Sequence, residues 1–110
     1  MRPGAYPIDI DDVTYARAHD PRHVALQRDR TTRRAPHATD SRPVWIVHSY
    51  RVVLELQADG SWLASCVCRA AQFGDRCHHL PVALDEELCR RENARVAAAY
   101  AATKRKQVRG

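Results

Sequence analysis

Three cysteines and a histidine lie within fourteen residues of one another in the middle of this chain. They form the pattern Cys66-x-Cys68, then eight residues, then Cys77-x-His79. Thiolate sulfur and imidazole nitrogen are ligands that Zn²⁺ prefers, and four of them complete its tetrahedron. The spacing therefore predicts one structural zinc ion held by Cys66, Cys68, Cys77 and His79.

The small size of the chain is a reason to expect a stabilising metal site. With 110 residues it allows one small domain with flanking segments, and its large apolar residues are concentrated between Val44 and Leu88. A core of that size usually needs a metal, a disulfide or a partner. No apolar run resembles a signal peptide or is long enough to cross a bilayer. We therefore expect a cytoplasmic protein with no membrane partner, whose cysteines stay reduced and bind metal.

A β-hairpin is predicted before the first cysteine pair. Apolar residues alternate from Tyr50 to Leu56, and the apolar run Val44–Val47 allows a third strand. Asp59-Gly60 predicts a two-residue type I′ turn. That turn would pair Leu56 with Leu63, Leu54 with Ser65 and Val52 with Val67, leaving Trp62, Ala64, Cys66 and Cys68 together on the other face.

A helix is predicted from Leu80-Pro81 to about Thr103, either continuous or restarting near Asp85. The polar residues 1–43 contain five prolines. They predict two short helices, from Asp12 to His19 and from Asp20-Pro21 to about Arg30, and then a linker. His19 and His23 are expected to be surface histidines. Trp45 and Trp62 are expected in the core.

Together these elements predict a small α+β domain stabilised by zinc, with a β-hairpin followed by a C-terminal helix, in ββα order, and a largely irregular N-terminal arm. We expect three segments. They are an Arg-rich arm at 1–43, a zinc finger at 44–90 and a basic helix and tail at 91–110.

The region from Tyr50 to Leu84 resembles the SWIM-type zinc finger. The resemblance rests on Tyr50-x-Val52-x-Leu54, Asp59-Gly60, Cys66-x-Cys68, Phe73-Gly74, Cys77-x-His79-Leu80 and Ala83-Leu84. The family pattern is Cys-x-Cys, a variable loop and Cys-x-His, with a hairpin before it and a helix after it. The resemblance implies Cys66, Cys68, Cys77 and His79 as zinc ligands, a ββα module, and a role in binding DNA or protein.

Two other residues are rival ligands. The family pattern selects the histidine two residues after the cysteine, which favours His79 over its neighbour His78. Cys89 lies about 15 Å along the predicted helix from His79. It is therefore expected to be a half-buried helix cysteine.

The charge distribution suggests the partner. The net charge is +5, yet residues 44–84 carry three bases and three acids. Attraction to phosphate must therefore come from the flanking segments. The residues expected to contact nucleic acid, with DNA favoured, are Arg90, Arg91, Arg95, Lys104, Arg105, Lys106 and Arg109. The alternative is an adaptor that docks on a larger nucleic-acid enzyme, with zinc purely structural.

Enzymatic activity is not expected. Four protein ligands leave zinc no open position for a substrate or water. The remaining acids and histidines form no recognisable acid–base or nucleophile arrangement in the sequence. We therefore expect neither catalysis nor a small-molecule substrate.

Overall fold

The computed structural model describes residues 5–68 and 77–109, with side chains as far as residue 104. The predicted Phe73-Gly74 turn lies outside the described residues. The elements, in chain order, are β1 (Tyr6–Ile8), α1 (Ile10–His19), α2 (Pro21–Arg28), β2 (Arg33–Arg34), β3 (Val44–Val47), β4 (Tyr50–Leu56), β5 (Trp62–Cys66) and α3 (His79–Arg109).

The strands form one antiparallel sheet in the order β1-β5-β4-β3-β2. Helix α3 packs across one face of this sheet, and α1 and α2 pack against α3. The expectation of a small α+β domain with a C-terminal helix is confirmed. The simple ββα order is wrong, because the sheet has five strands.

The N-terminal segment supplies both edge strands of the sheet. Strand β1 pairs with β5, and β2 pairs with β3. The expectation of a largely irregular arm ending in a linker is therefore wrong. Residues between β2 and β3 also reach the sheet, since Pro43 and Ser41 accept backbone hydrogen bonds from β4 at 2.8 Å each. Backbone hydrogen bonds at both edges of the sheet pair the polar groups of this segment. They hold the segment in place, because it has few apolar side chains that could do so.

The two short helices of the segment are confirmed, with boundaries shifted by two residues. Asp9 caps α1 in a capping box with Asp12, and Asp20 caps α2 with Pro21 in its first turn. Helix α2 ends at Arg28 because Asp29 forms a turn, in which its carboxylate accepts the backbone N–H of Thr31 at 2.9 Å.

The β4–β5 hairpin differs from the predicted one by one residue in register. Gln57 and Ser61 close a three-residue loop, and Gly60 has a φ of 87°. The predicted two-residue turn at Asp59-Gly60 is therefore wrong. The observed partners are Val52 with Cys66, Leu54 with Ala64, Glu55 with Leu63 and Leu56 with Trp62. A one-residue shift changes which side chains share a face.

The observed register places alternate residues of both strands on the face that α3 covers. Val52, Leu54 and Ala64 are almost completely buried there, beside Trp45 and Trp62. Both tryptophans lie in the core, as predicted. The first turns of α3 complete this core with Leu80, Val82, Ala83 and Leu84. Burying each large aliphatic side chain stabilises the fold by about 1.5–3 kcal/mol.

Helix α3 is continuous over 31 residues, about 46 Å at 1.5 Å per residue. Its first part packs on the sheet. From Glu92 onward every residue with a described side chain is exposed. The helix therefore projects from the domain over its second half.

Asp85 anchors α3 to the two N-terminal helices. Its side chain is buried, and its Oδ2 accepts from Arg17 Nε at 2.9 Å and from Gln27 Nε2 at 2.7 Å. His23 Nε2 lies 2.8 Å from the same oxygen. Burial alone would raise the pKa of Asp85, but hydrogen bonds from Arg17 and His23 outweigh it and lower that pKa. The expected surface position of His23 is wrong, because its ring is 0% exposed.

Glu87 anchors the opposite side of α3 to β2 and β3. It is buried, and its Oε1 accepts from Arg34 Nε at 3.2 Å and from Trp45 Nε1 at 3.1 Å. Its Oε2 accepts from Arg90 Nε and Arg91 Nε, both at 3.0 Å. Burial opposes the charge, but these hydrogen bonds lower the pKa of Glu87. The carboxylate is therefore charged and paired at neutral pH.

Replacing Glu87 by Ala should lower the free energy of unfolding by about 3 kcal/mol, because the Trp45 N–H loses its buried acceptor and three guanidinium groups lose their partner. Urea unfolding of zinc-saturated protein would measure this decrease. Glu92→Ala is the matched control, since its ion pair with Arg95 is exposed and should contribute less than about 0.5 kcal/mol. Equal decreases in the two variants would contradict the anchoring role of Glu87.

Candidate metal centre

The four predicted ligands come together where β5 ends and α3 begins. Cys66 is the last residue of β5, and His79 is the first residue of α3. The three sulfur atoms and one ring nitrogen all lie within 4.8 Å of one another. The Cys66 Sγ to His79 Nδ1 distance is 3.8 Å. Tetrahedral Zn²⁺ bonds of about 2.0–2.3 Å would place ligand atoms about 3.5–3.8 Å apart. A small contraction of the group therefore accommodates one metal ion.

The two rival ligands lie elsewhere. His78 packs against His79 with its ring centroid 4.3 Å away, and burial lowers its pKa. Within the described residues it is not part of the metal-ligating group. Cys89 is exposed rather than half-buried as predicted, and its Sγ lies 3.5 Å from Asp85 Oδ1. Partial desolvation and this carboxylate raise the pKa of Cys89, which disfavours its thiolate.

The environment of the group suits a cation. Cys68, Cys77 and His79 are buried, and Cys66 is partly exposed. A hydrogen bond from the Cys66 thiol lowers the pKa of Cys77 to about 4, although burial opposes this, and the same contact raises the pKa of Cys66. A lowered pKa favours the thiolate form of Cys77, which is the form that binds metal. All four cysteines are free of disulfides.

Tyr50 and the turn before it support His79. The rings of Tyr50 and His79 lie 5.0 Å apart between centroids. The turn from β3 into β4 has His48 and Ser49 at its centre, with φ of 49° and 70°. Positive φ at both central residues is typical of a type I′ turn. A type I′ turn therefore lies at His48–Ser49, where none was predicted from the sequence, although neither residue is a glycine.

The His48–Ser49 turn is held in place by a contact with Asp29 at the end of α2. His48 Nδ1 lies 3.2 Å from Asp29 Oδ2, and Asp29 also accepts from the backbone and hydroxyl of Thr31. Those hydrogen bonds lower the pKa of Asp29 to about 2. The strained turn is thus tied to the end of α2, next to Tyr50, which packs against His79. Nothing in the local sequence marks this contact, because His48-Ser49 is not a typical turn pair.

The predicted nucleic-acid residues whose side chains are described fall into two groups. Arg90 and Arg91 are bound to Glu87, and Arg91 also lies over the Trp62 ring at 5.0 Å. Arg95 and Lys104 lie on the exposed part of α3. The side chains of Arg105, Lys106 and Arg109 lie outside the described residues. Contact of all seven with nucleic acid stays a prediction.

Fold and site together define a small α+β protein with a Cys₃His group that can hold one metal ion. Four protein ligands would complete the tetrahedral coordination sphere of such an ion. Among the described residues, no helix combines the length and the hydropathy that a membrane span requires. No protein-family model, curated protein or solved structure matches the chain.

Replacing Cys66, Cys68, Cys77 or His79 singly by Ala should abolish stoichiometric metal binding, because each removes one of four ligands. Native mass spectrometry should find one Zn²⁺ per chain in the wild type and none in these variants. His78→Ala and Cys89→Ala are the matched controls and should keep the metal. Retention of zinc by His79→Ala, together with its loss from Cys89→Ala, would show a four-thiolate site instead.

Proposed function

We propose that this chain is a SWIM-type zinc module that binds nucleic acid, with DNA as the favoured partner. The observation that carries this proposal is the projecting half of α3. After Arg91 the chain carries five basic residues and one acidic residue. A cationic helix that leaves the domain can lie along a phosphate backbone without displacing the core.

In this proposal zinc has a structural role. The metal joins the end of β5 to the start of α3, so it sets the direction in which the projecting helix leaves the sheet. The donor set of three thiols and one imidazole favours zinc over harder ions such as Mg²⁺ or Ca²⁺, which prefer oxygen. Binding energy at this site would then be folding energy for the module.

Not all of the basic residues are equally available. Arg90 and Arg91 are about two-thirds buried as side chains and share Glu87. Moving them to a phosphate would expose a buried carboxylate, which is costly. Arg95 pairs with exposed Glu92, at 2.5 Å, and such a pair exchanges readily for a phosphate contact. We therefore place phosphate contact mainly at Arg95, Lys104 and the basic residues that follow.

A second candidate function is an adaptor that docks on a larger nucleic-acid enzyme. It is favoured by Val96 and Tyr100, which are exposed and lie one turn apart on the projecting helix. Apolar side chains at that spacing are typical of a helix that lies in a partner's groove. Val96→Ser with Tyr100→Ser would abolish such docking and leave the salt dependence of nucleic-acid binding unchanged.

Replacing Lys104, Arg105 and Lys106 together by Gln should weaken binding to a DNA duplex. Each cation that no longer neutralises a phosphate should reduce the log–log salt slope by about 0.9, so the magnitude of the slope should fall by about 2–3. Fluorescence anisotropy with a labelled duplex across a salt series would measure this change.

Arg28→Gln provides the matched control, because Arg28 is exposed on α2 and not on the projecting helix. Zinc content and the urea midpoint should be unchanged in both variants. Absence of binding to DNA or RNA by the wild type at low salt would refute the nucleic-acid function and leave the metal site intact.

A further inference from the structure

A second basic surface lies on the face of the sheet opposite α3. There the loop before β3 and the strands β3 and β4 enclose a concave site of about 410 Å³. Its lining residues are His37, Thr39, Arg42, Val44, Arg51 and Val53. The volume is within the range of about 300–1,000 Å³ that is usual for small-ligand sites. We refer to it as the sheet-face site.

Strand alternation explains why basic residues gather on this face. Arg34 faces α3 and bonds Glu87, so its neighbour Arg33 lies on the opposite face. Arg33 is opposite Ile46, and Ile46 is opposite Arg51. Residues in one such row share a face, so Arg33 and Arg51 flank Ile46 about 10 Å apart.

The loop that closes the site is held in place. Thr39 and Arg42 are joined by two hydrogen bonds, from Thr39 N to Arg42 O at 3.3 Å and from Arg42 N to Thr39 Oγ1 at 3.1 Å. Asp40 between them pairs with Arg90 at 3.2 Å and with Arg34 at 3.8 Å. The loop residues that line the site, His37, Thr39 and Arg42, are therefore held in place by contacts with the core. This lowers the entropy cost of binding.

The charges of the site favour an anion. Its lining contains two guanidinium groups, an imidazole and a hydroxyl, and no carboxylate. Arg42 is paired with Glu55, whose Oε1 lies 3.8 Å from Arg42 Nε. Arg51 is exposed and takes part in no ion pair within the described residues. The charge of Arg42 is therefore partly balanced by Glu55, and the charge of Arg51 is available to a ligand.

We propose that the sheet-face site binds a phosphate group. Guanidinium groups present paired N–H donors that match phosphate oxygens. The Thr39 hydroxyl and a ring N–H of His37 add neutral donors. Val44 and Val53 form an apolar floor with no exposed aromatic ring, so the site suits a backbone phosphate better than a stacked base.

The source of the phosphate follows from the proposed function, on which this part of the inference rests. In a nucleic-acid-binding module the group is a phosphodiester of the bound strand. The same donors would also take a free phosphate. The two sources can be separated by testing an oligonucleotide and inorganic pyrophosphate with the same set of variants.

The test compares Arg51→Gln with Arg51→Lys, and with Arg28→Gln as a control for loss of charge outside the sheet face. Binding of single-stranded DNA is measured by anisotropy across a salt series, and binding of pyrophosphate by ³¹P and protein NMR. Arg51→Gln should bind both ligands about fivefold more weakly and reduce the salt slope for single-stranded DNA by about 0.7. Arg51→Lys keeps the charge but loses the paired donors, so it should keep the wild-type salt slope and recover only part of the affinity, and Arg28→Gln should match the wild type.

The outcomes separate this inference from the proposed function. Weaker binding of both ligands by Arg51→Gln supports a phosphate site used by nucleic acid. Binding of pyrophosphate but not of single-stranded DNA, weakened by Arg51→Gln, supports a free-phosphate site and overturns the assignment of the phosphate to a bound strand, whereas the nucleic-acid function itself is decided by the duplex titration. Unchanged binding of both ligands by Arg51→Gln overturns the sheet-face site, even if the triple variant of Lys104, Arg105 and Lys106 shows that DNA binds the projecting helix. No binding of either ligand by the wild type also overturns it. Unchanged zinc content in each variant excludes misfolding.

Discussion

Two buried carboxylates on α3 hold the parts of this molecule together. Asp85 and Glu87 are two residues apart, so they point to opposite sides of the helix. One accepts hydrogen bonds from the N-terminal helices, and the other from the edge of the sheet. A buried charge is tolerated only when it is well paired, so each carboxylate admits few arrangements of its neighbours. The N-terminal segment is thereby fixed to the metal-binding region, and α3 is fixed in its rotation about its own axis.

This constraint also bears on the metal centre. His79 begins the helix whose orientation Asp85 and Glu87 determine, and Cys66 ends a strand that packs on the same helix. The ligands therefore converge because β5 and α3 are already packed together. Conversely, a bound metal would tie the first turn of α3 to the sheet at a point that the carboxylates do not reach. The two kinds of interaction act on different turns of one helix and support each other.

Sequence reasoning succeeded where the signal was local. Residues that are close in the chain carry the signals for the ligand group, for the cap Asp20-Pro21 and for a helix after His79. The apolar pattern left open whether that helix is continuous or restarts near Asp85, and the structure shows it continuous. Sequence reasoning failed where partners are distant. Nothing near His23 shows that its ring reaches Asp85, 62 residues away. The predicted register of the β4–β5 hairpin was wrong for another reason. Asp59-Gly60 suits both a two-residue turn and a three-residue loop with glycine at positive φ.

The projecting half of α3 has a consequence for how this helix is stabilised. Beyond Arg91 its described side chains are all exposed, yet six of its residues are alanine, which has the highest helix propensity. Starting a helix in water is the unfavourable step, and adding residues to an existing one is nearly neutral or favourable. The packed turns at the N-terminal end of α3 act as a preformed nucleus from which the exposed half propagates. The length of helix presented to solvent is then governed by helix–coil equilibrium, and it should shorten progressively from the C-terminal end on warming while the domain stays folded.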